Sequence, residues 1–351
     1  MLAQLYSRHE LNIIGVIPSA GNSTLKNTVR NALQIGELTD RTDVKVYPGA
    51  SVPIGQTENE MENAAGAHGL TGFGKVKLPE PSLKAEEING VEFAVEALKC
   101  AEEAITIIST GGLTDLYHTL ERLQKEDSEA LRRISAIFMM GGVFDEKQAN
   151  APVARTEDLA AAFANQYAEF NAIFDPIATA GVFQIASDAG ITIVLASLDI
   201  THSALSHQEH AVALRSVGNR VASTMADFIE DVGPWDIERF GRDVDGNPMV
   251  PVHDATTSTA LLHPELFHGE RASVRTIAEG AQRGKTEIME AGSSNVIILS
   301  LPRDRLNGFH AAFQDDMHRY GYLQHAIDEK KRDTALDSRS TIEPLDGPEP
   351  E

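Results

Sequence analysis

The chain has 351 residues, of which 42% are hydrophobic and 23% are charged, enough for one large globular domain or two ordinary ones. Its 52 acidic and 30 basic residues give a formal net charge of -22, which opposes binding to nucleic acid or to an anionic membrane. Cys100 is the single cysteine, so no intrachain disulfide can form, and neither a leader nor an apolar run of ~18 residues is present. We therefore expect a cytoplasmic globular protein without nucleic-acid or membrane partners.

Five short apolar runs rich in Ile and Val predict buried parallel strands. These runs are residues 12–17, 104–109, 134–140, 191–196 and 294–300. Amphipathic helical stretches lie between them, at 23–36, 90–103, 114–126 and 158–167. Gly36 is placed to end the first of these helices. The alternation predicts an α/β fold with an open, mostly parallel, doubly wound sheet of the Rossmann-like type, whose functional loops follow the carboxyl ends of the strands.

Two regions differ in composition from the rest of the chain. Residues 52–89 are marked by Gly and Pro and are weakly periodic, which favours a functional loop or an insertion. Residues 326–351 are charged, contain Pro and hold few aromatics, so we expect disorder there. The sequence therefore predicts one domain over residues 1–325, followed by a tail over residues 326–351.

Three polar residues stand among apolar neighbours in the stretch NQYAEFNAIFDP, residues 165–176. Asp175 followed by Pro176 is typical of a helix N-cap and first helical position, and this explains Asp175. Glu169 and Asn171 have no such local explanation. Because buried polar groups need partners, two interpretations stay open for this pair: a satisfied buried pair, or a pair that holds a ligand.

Two histidines stand where chemistry is possible. His68 lies among glycines in HGLTGFG, which suits either a mobile loop over a pocket or a surface turn. His253 and Asp254 come just before an apolar helical run. Asp254 could cap that helix, which would leave His253 able to titrate near neutral pH. The glycine pairs of STGG and MMGG lack the spacing of a nucleotide-binding motif and predict tight turns.

The motifs also follow one another in an order that resembles a known family. They are SAGN (19–22), YPGA (47–50), HGLTGFG (68–74), STGGLTDL (109–116), MMGG (139–142), AEFNAIFDPIATAGVF (168–183), LDIT (198–201) and VHD (252–254). Over roughly residues 1–320 this succession resembles the inosine-uridine preferring nucleoside hydrolases. The resemblance implies an enzyme that hydrolyses the N-glycosidic bond of ribonucleosides to ribose and a purine or pyrimidine base, with one calcium ion in its pocket.

The resemblance also implies roles for single residues. Contacts to the substrate are expected from five side chains: Asn22, His68, Asn165, Glu169 and Asn171. His253 matches the catalytic histidine that protonates the departing base. Asp254 matches a calcium-binding carboxylate, and Met139 matches a residue whose backbone carbonyl binds the same ion. Nearby carboxylates and a positioned acid suit an oxocarbenium-like transition state with a poor leaving group.

The sequence departs from the family in two motifs and at its amino end. Gly112 and Asp115 stand where the family usually has Pro and Asn, and Thr71 stands where an Asp is common. The family's first strand ends in an aspartate-rich loop that supplies most metal carboxylates, and residues 1–17 resemble the helix and strand that follow this loop. We therefore expect a sheet without the family's first strand, and in-frame codons upstream of Met1 that encode it. Ca²⁺ takes about 6 to 8 oxygen ligands, more than the matched residues supply.

Two other classes of protein stay open beside an enzyme of nucleoside catabolism and purine salvage. One is a non-catalytic nucleoside- or ribose-binding protein, and the other is an interaction protein that uses the acidic surface. Base release in excess calcium separates the enzyme from the binding protein, whereas the interaction protein would neither bind nor cleave a nucleoside. The expected partner is a small-molecule nucleoside, and a homo-oligomer is left open.

Overall fold

The fold is known from a computed structural model, which describes residues 1–21, 23–55, 76, 78–149, 166–231, 237, 238 and 240–319. Its strands are β1 (Ile105–Ser109), β2 (Ile134–Met140), β3 (Ile193–Ala196), β4 (Leu205–Ser206), β5 (Val250–Pro251), β6 (His268–Thr276), β7 (Thr286–Met289) and β8 (Val296–Ser300). Six of them form a central sheet in the order β1-β2-β3-β8-β6-β7. The first four strands of that order are parallel, and β6 runs antiparallel to both β8 and β7. The predicted α/β fold with a mostly parallel sheet is confirmed.

The helices cover both faces of this sheet. They are α1 (Leu2–Tyr6), α2 (Leu25–Leu38), α3 (Gly90–Cys100), α4 (Thr114–Glu126), α5 (Phe170–Phe174), α6 (Pro176–Ala189), α7 (Leu198–Thr201), α8 (Gln208–Ser216), α9 (Arg220–Glu230) and α10 (His253–Leu262), and residues 306–319 are helical as well. Ile137 and Leu195 pack with α3, α4 and α6, whereas Phe138 and Val194 pack on the opposite face, towards α10 and Phe309. Successive strand residues therefore point to two different helical layers, as a doubly wound sheet requires. In the part of the chain that the structure describes, no helix is long and apolar enough to cross a membrane.

The strand predicted at residues 12–17 is wrong. Only Val16 makes a β-bridge there, parallel to Val46. The hydrogen bonds from Val16 N–H to the Lys45 carbonyl and from Tyr47 N–H to the Val16 carbonyl begin a ladder. Pro18 then has no N–H with which to continue it, so the pairing stays too short to count as a strand.

The predicted end of α2 at Gly36 is also wrong. The helix continues to Leu38, with Thr39 as its C-cap. Asp40, with a φ of 53°, turns the chain out of the helix. Asp is one of the few residues besides Gly that adopt this left-handed conformation at modest cost, so the turn does not need Gly36.

Residues from the two ends of the described chain meet on α10. The Gln4 amide donates hydrogen bonds to the hydroxyl of Thr259 at 3.0 Å and to the carboxylate of Asp316 at 2.8 Å. Ser258 donates to the side-chain oxygen Oε1 of Gln4 at 2.5 Å, and Arg8 forms an ion pair with Asp316 at 2.5 Å. The Asp316 side chain is fully buried, and buried polar groups satisfied in this way fix the relative positions of the helices that carry them.

Candidate functional site

Glu169 lies at the carboxyl end of the sheet, where it caps α5. Its carboxylate accepts hydrogen bonds from the backbone N–H groups of Asn171 at 2.8 Å, Ala172 at 3.0 Å and Gly142 at 3.1 Å. Gly142 belongs to the loop that follows β2, so the cap also holds this loop in place. These three hydrogen bonds explain why a buried Glu stands at position 169, which the sequence alone left unexplained. An ionised carboxylate has about four acceptor positions, so capping leaves room for a further donor.

The charge of Glu169 is held in an unfavourable environment. Burial raises the pKa of this carboxyl group to about 7, against the lowering effect of its three backbone N–H donors. The negative charge of Asp254 raises it further. The two carboxyl groups are therefore close enough to interact, and a positive charge beside them would be stabilised.

Asn171 joins the ends of two neighbouring strands. Its side-chain amide donates to the carbonyl of Thr110, just after β1, and to the carbonyl of Met140, at the end of β2, both at 3.3 Å. Its Oδ1 accepts no hydrogen bond from the residues that the structure describes. Met139, one residue before Met140 in β2, buries its side chain fully in the main core, and the predicted role of its carbonyl stays a prediction.

Asp254 stands in the first turn of α10, but it does not cap this helix as its sequence position suggested. Val252 is the N-cap, and no side chain caps the helix start. Asp254 instead accepts a hydrogen bond from the side chain of Thr110. Burial raises its pKa, while the hydrogen bond from Thr110 acts in the opposite direction. The side chain is nevertheless accessible to water.

His253 is anchored from the short helix α7. Its Nδ1 lies 2.7 Å from the hydroxyl oxygen of Thr201. The ring of the next residue, His202, lies 5.4 Å from the His253 ring and contacts Phe240 edge-on at 4.9 Å. Sequence reasoning singled out neither Thr201 nor His202 as site residues, although both belong to the SLDITH segment that follows β3.

Three other aspartates near the strand ends have structural partners. Asp175 caps α6 as predicted, accepting from Ala178 N–H at 2.9 Å, and it also accepts from Ile54 N–H and the Thr114 hydroxyl. Asp199 accepts from two backbone N–H groups of the loop after β2 and from Ser197. Asp115 accepts from Ala50 N–H at 2.8 Å.

Three of the predicted substrate contacts lie outside the described residues: Asn22, His68 and Asn165. The predicted tail over residues 326–351 lies outside them as well. Their roles stay predictions. Of the predicted site residues that the structure does describe, Glu169, Asn171 and Asp254 meet around Thr110 and the loop after β2, and His253 adjoins them in sequence.

The described residues do not amount to a complete calcium site. They contain no group of three or more His, Cys, Asp or Glu side chains that could hold a metal ion. Glu169 uses three of its acceptor positions for backbone N–H groups, whereas Asp254 is the carboxylate that water reaches. Ca²⁺ takes about 6 to 8 oxygen ligands, so this donor set is too small by itself.

An open α/β sheet that brings two carboxylates and an imidazole to its strand ends is suited to a hydrolase of glycosidic bonds. Comparison with known proteins identifies the family within this class. The chain belongs to the inosine-uridine preferring nucleoside hydrolase family, whose sequence profile matches residues 1–307. It is therefore a nucleoside hydrolase, which confirms the activity predicted above.

Individual relatives support the same family. The chain is 33% identical over 258 residues to the pyrimidine-specific ribonucleoside hydrolase RihA of Enterobacter sp. strain 638, covering 74% of this chain and 73% of that protein. An uncharacterized protein of Schizosaccharomyces pombe is 31% identical over 267 residues, or 76% of each chain. Among solved structures, the purine-preferring ribonucleoside hydrolase from Gardnerella vaginalis shares the fold with a TM-score of 0.70 at 20% identity, covering 91% of this chain and 94% of that one.

Proposed function

We propose that the cleft formed by Glu169, Asn171, His253 and Asp254 is the site at which this nucleoside hydrolase cleaves the bond between ribose and base. The observation that carries the proposal is that Asn171 and Asp254 both contact Thr110 at the end of β1, beside the buried Glu169 carboxylate that binds the loop after β2. Cleavage of a glycosidic bond develops positive charge on the sugar ring. Two neighbouring carboxylates fixed in this way stabilise the charge.

Glu169 and Asn171 are proposed to hold the ribose. Each offers an acceptor that its structural role does not use: the remaining position on the Glu169 carboxylate and Oδ1 of Asn171. Ribose hydroxyl groups are donors that match such acceptors. His253 is proposed to donate a proton to the departing base, because an expelled base needs a positioned acid and imidazole titrates in the right range.

We propose calcium as the metal of this site, with Asp254 and the carbonyl of Met139 among its ligands. Oxygen ligands of this kind suit a hard cation. When bound, such an ion would supply positive charge that orients the sugar and acidifies water. The described donors are too few to hold the ion by themselves.

The cellular role is proposed to be nucleoside catabolism, including purine salvage, in the cytoplasm. A small-molecule nucleoside is the proposed partner. The formal charge of -22 supports the absence of nucleic-acid and anionic membrane partners, and homo-oligomer formation stays a proposal. Relatives described as pyrimidine-specific and as purine-preferring both occur, so inosine and uridine should be tested together.

The test measures release of base from inosine and uridine, with and without added Ca²⁺, by the purified full chain. Asn171→Ala and Asp254→Asn should each reduce turnover strongly. Glu129→Ala is the control, because this side chain is 73% exposed and lies on the short turn before β2, at the opposite end of that strand from the site. Binding of nucleoside without base release by the unaltered protein would refute the proposed site chemistry and favour a binding protein.

A further inference from the structure

Helix α7 is fixed on one side to the loop that follows β2. Asp199 accepts hydrogen bonds from the backbone N–H groups of Phe144 at 3.0 Å and Asp145 at 2.8 Å, and from the Ser197 hydroxyl at 2.8 Å. His202, directly after α7, places its Nδ1 2.8 Å from the side-chain oxygen of Gln148. A four-residue helix has little stability of its own, so these bonds determine where its remaining side chains point.

Thr201 is the residue of α7 that faces the candidate acid. It is fully buried, and within the described residues its hydroxyl makes one hydrogen bond, to Nδ1 of His253 at 2.7 Å. Threonine hydroxyls in helices commonly donate to the carbonyl four residues earlier, as Thr39 and Thr119 do here. Thr201 does not, so its hydroxyl is available to the imidazole.

We propose that Thr201 is a positioning residue, which reserves Nδ1 of His253 so that Nε2 is the ring nitrogen that delivers the proton. The inference rests on the proposed function of His253. A hydroxyl can both donate and accept. It donates to Nδ1 when the neutral ring carries its hydrogen on Nε2, and it accepts from Nδ1–H when the ring carries both hydrogens.

The proton transfer starts from a ring that carries a hydrogen on both nitrogens. The N–H bond at Nε2 of His253 breaks, and a new N–H bond forms on the base. The electron pair of the broken bond between ribose and base stays on the base nitrogen, and a water molecule adds to the ribose carbon and loses a proton to solvent. The ring is left neutral with its hydrogen on Nδ1, where the oxygen of Thr201 accepts it. Without this hydroxyl the ring loses the hydrogen bond that sets its orientation, and Nε2 is held less firmly towards the base.

The experiment compares Thr201→Val, which removes the hydroxyl at nearly constant volume, with Thr201→Ser, which keeps it. Thr224→Val is the matched control, because Thr224 of α9 is also buried and its hydroxyl donates to the Arg220 carbonyl at 2.9 Å. Melting curves verify that each variant folds. The rates are measured with inosine and with p-nitrophenyl riboside, whose leaving group departs as a stable anion.

We expect Thr201→Val to lower kcat with inosine roughly 10-fold to 100-fold, the effect of losing one hydrogen bond to a group that becomes charged. KM and the rate with p-nitrophenyl riboside should change little, and Thr201→Ser should recover most of the rate. Equal losses on both substrates, or an unchanged rate with inosine, would overturn the proposal.

A second readout does not depend on turnover. Nitrogen NMR of ring-labelled histidine, with the His253 signal assigned from a His253→Gln variant, reports the hydrogen bonding of each ring nitrogen. The Nδ1 signal should show the same hydrogen-bonded shift in the unaltered protein and in Thr201→Ser, and this shift should be lost in Thr201→Val. An unchanged Nδ1 signal in Thr201→Val would overturn the role of Thr201. Absence of base release by the unaltered protein would instead overturn the proposed function.

Discussion

Replacing Asp115 with Asn should stabilise the protein at high pH and not at low pH. Asp115 lies in the first turn of α4, where Oδ1 accepts from Ala50 N–H and buried Oδ2 has no hydrogen-bond partner among the described residues. Gly49 allows this close packing, because an added Cβ there would lie 2.4 Å from Oδ2. Asn keeps the shape and the acceptor for Ala50 while it removes the charge.

The size of the effect follows from the pKa of Asp115. Burial raises it from 3.8 to about 6, with Ala50 N–H and the charge of His118 acting against the rise. About 2 units at about 1.36 kcal/mol per unit give an upper limit of about 3 kcal/mol. Because the folded pKa lies above the unfolded one, the unfolded chain loses its proton first. Stability from this residue is therefore fully present below about pH 4 and is lost as the pH rises through about 6.

Urea unfolding of both proteins at about pH 4, 6 and 8 checks this reasoning. The free energy of unfolding of Asp115→Asn, minus that of the unaltered protein, should increase by about 2 to 3 kcal/mol between the lowest and the highest pH. Asn adds a donor without a partner, so the difference at about pH 4 should be zero or negative. A difference that does not change with pH would show that the buried Asp115 oxygen is hydrated or paired, and would refute the argument.

Further predictions concern the cleft. His253→Ala should lower the rate with inosine roughly 10² to 10⁴-fold and the rate with p-nitrophenyl riboside far less; equal losses would remove His253 from the acid role. Asn171→Ala should weaken transition-state stabilisation by roughly 2 to 4 kcal/mol. Glu169→Ala should in addition lower the melting temperature, because it leaves three backbone N–H groups without their acceptor, and an unchanged melting curve would contradict the capping role. Asp254→Asn should weaken calcium binding, measured by calorimetry, by about tenfold or more, and equal affinities would exclude Asp254 as a ligand.

The parallel part of the fold was predictable from the sequence. Buried parallel strands are apolar on both faces, so β1, β2, β3 and β8 stand out as runs of Ile and Val that end within two residues of the observed bounds. Strand β6 was missed because HGERASVRT carries charged residues on its exposed face. The wrong strand at residues 12–17 has the right composition, but a ladder also needs backbone donors, and Pro18 removes one.

The site was predictable only in part, for two different reasons. The sequence did not predict that Glu169 caps α5. Ser, Thr, Asp and Asn are the usual residues at a helix start, and α5 has only five residues. The contact of Thr201 with His253 joins residues 52 positions apart, and no local pattern encodes such a contact. Asp175 was predicted correctly because its cap is local.

The meeting of Gln4, Thr259 and Asp316 on α10 has a consequence for how the enzyme matures. Gln4 and Asp316 are 312 positions apart, and ribosomes add about 5 to 20 residues per second, so about 15 to 60 s separate their synthesis. During that interval Gln4 and Arg8 lack their acidic partner, and α10 has yet to be made for most of it. The helix that carries His253 therefore gains this anchor only after residue 316 has been made. Catalytic competence should appear late in synthesis, in one step, and should not increase gradually as the chain lengthens.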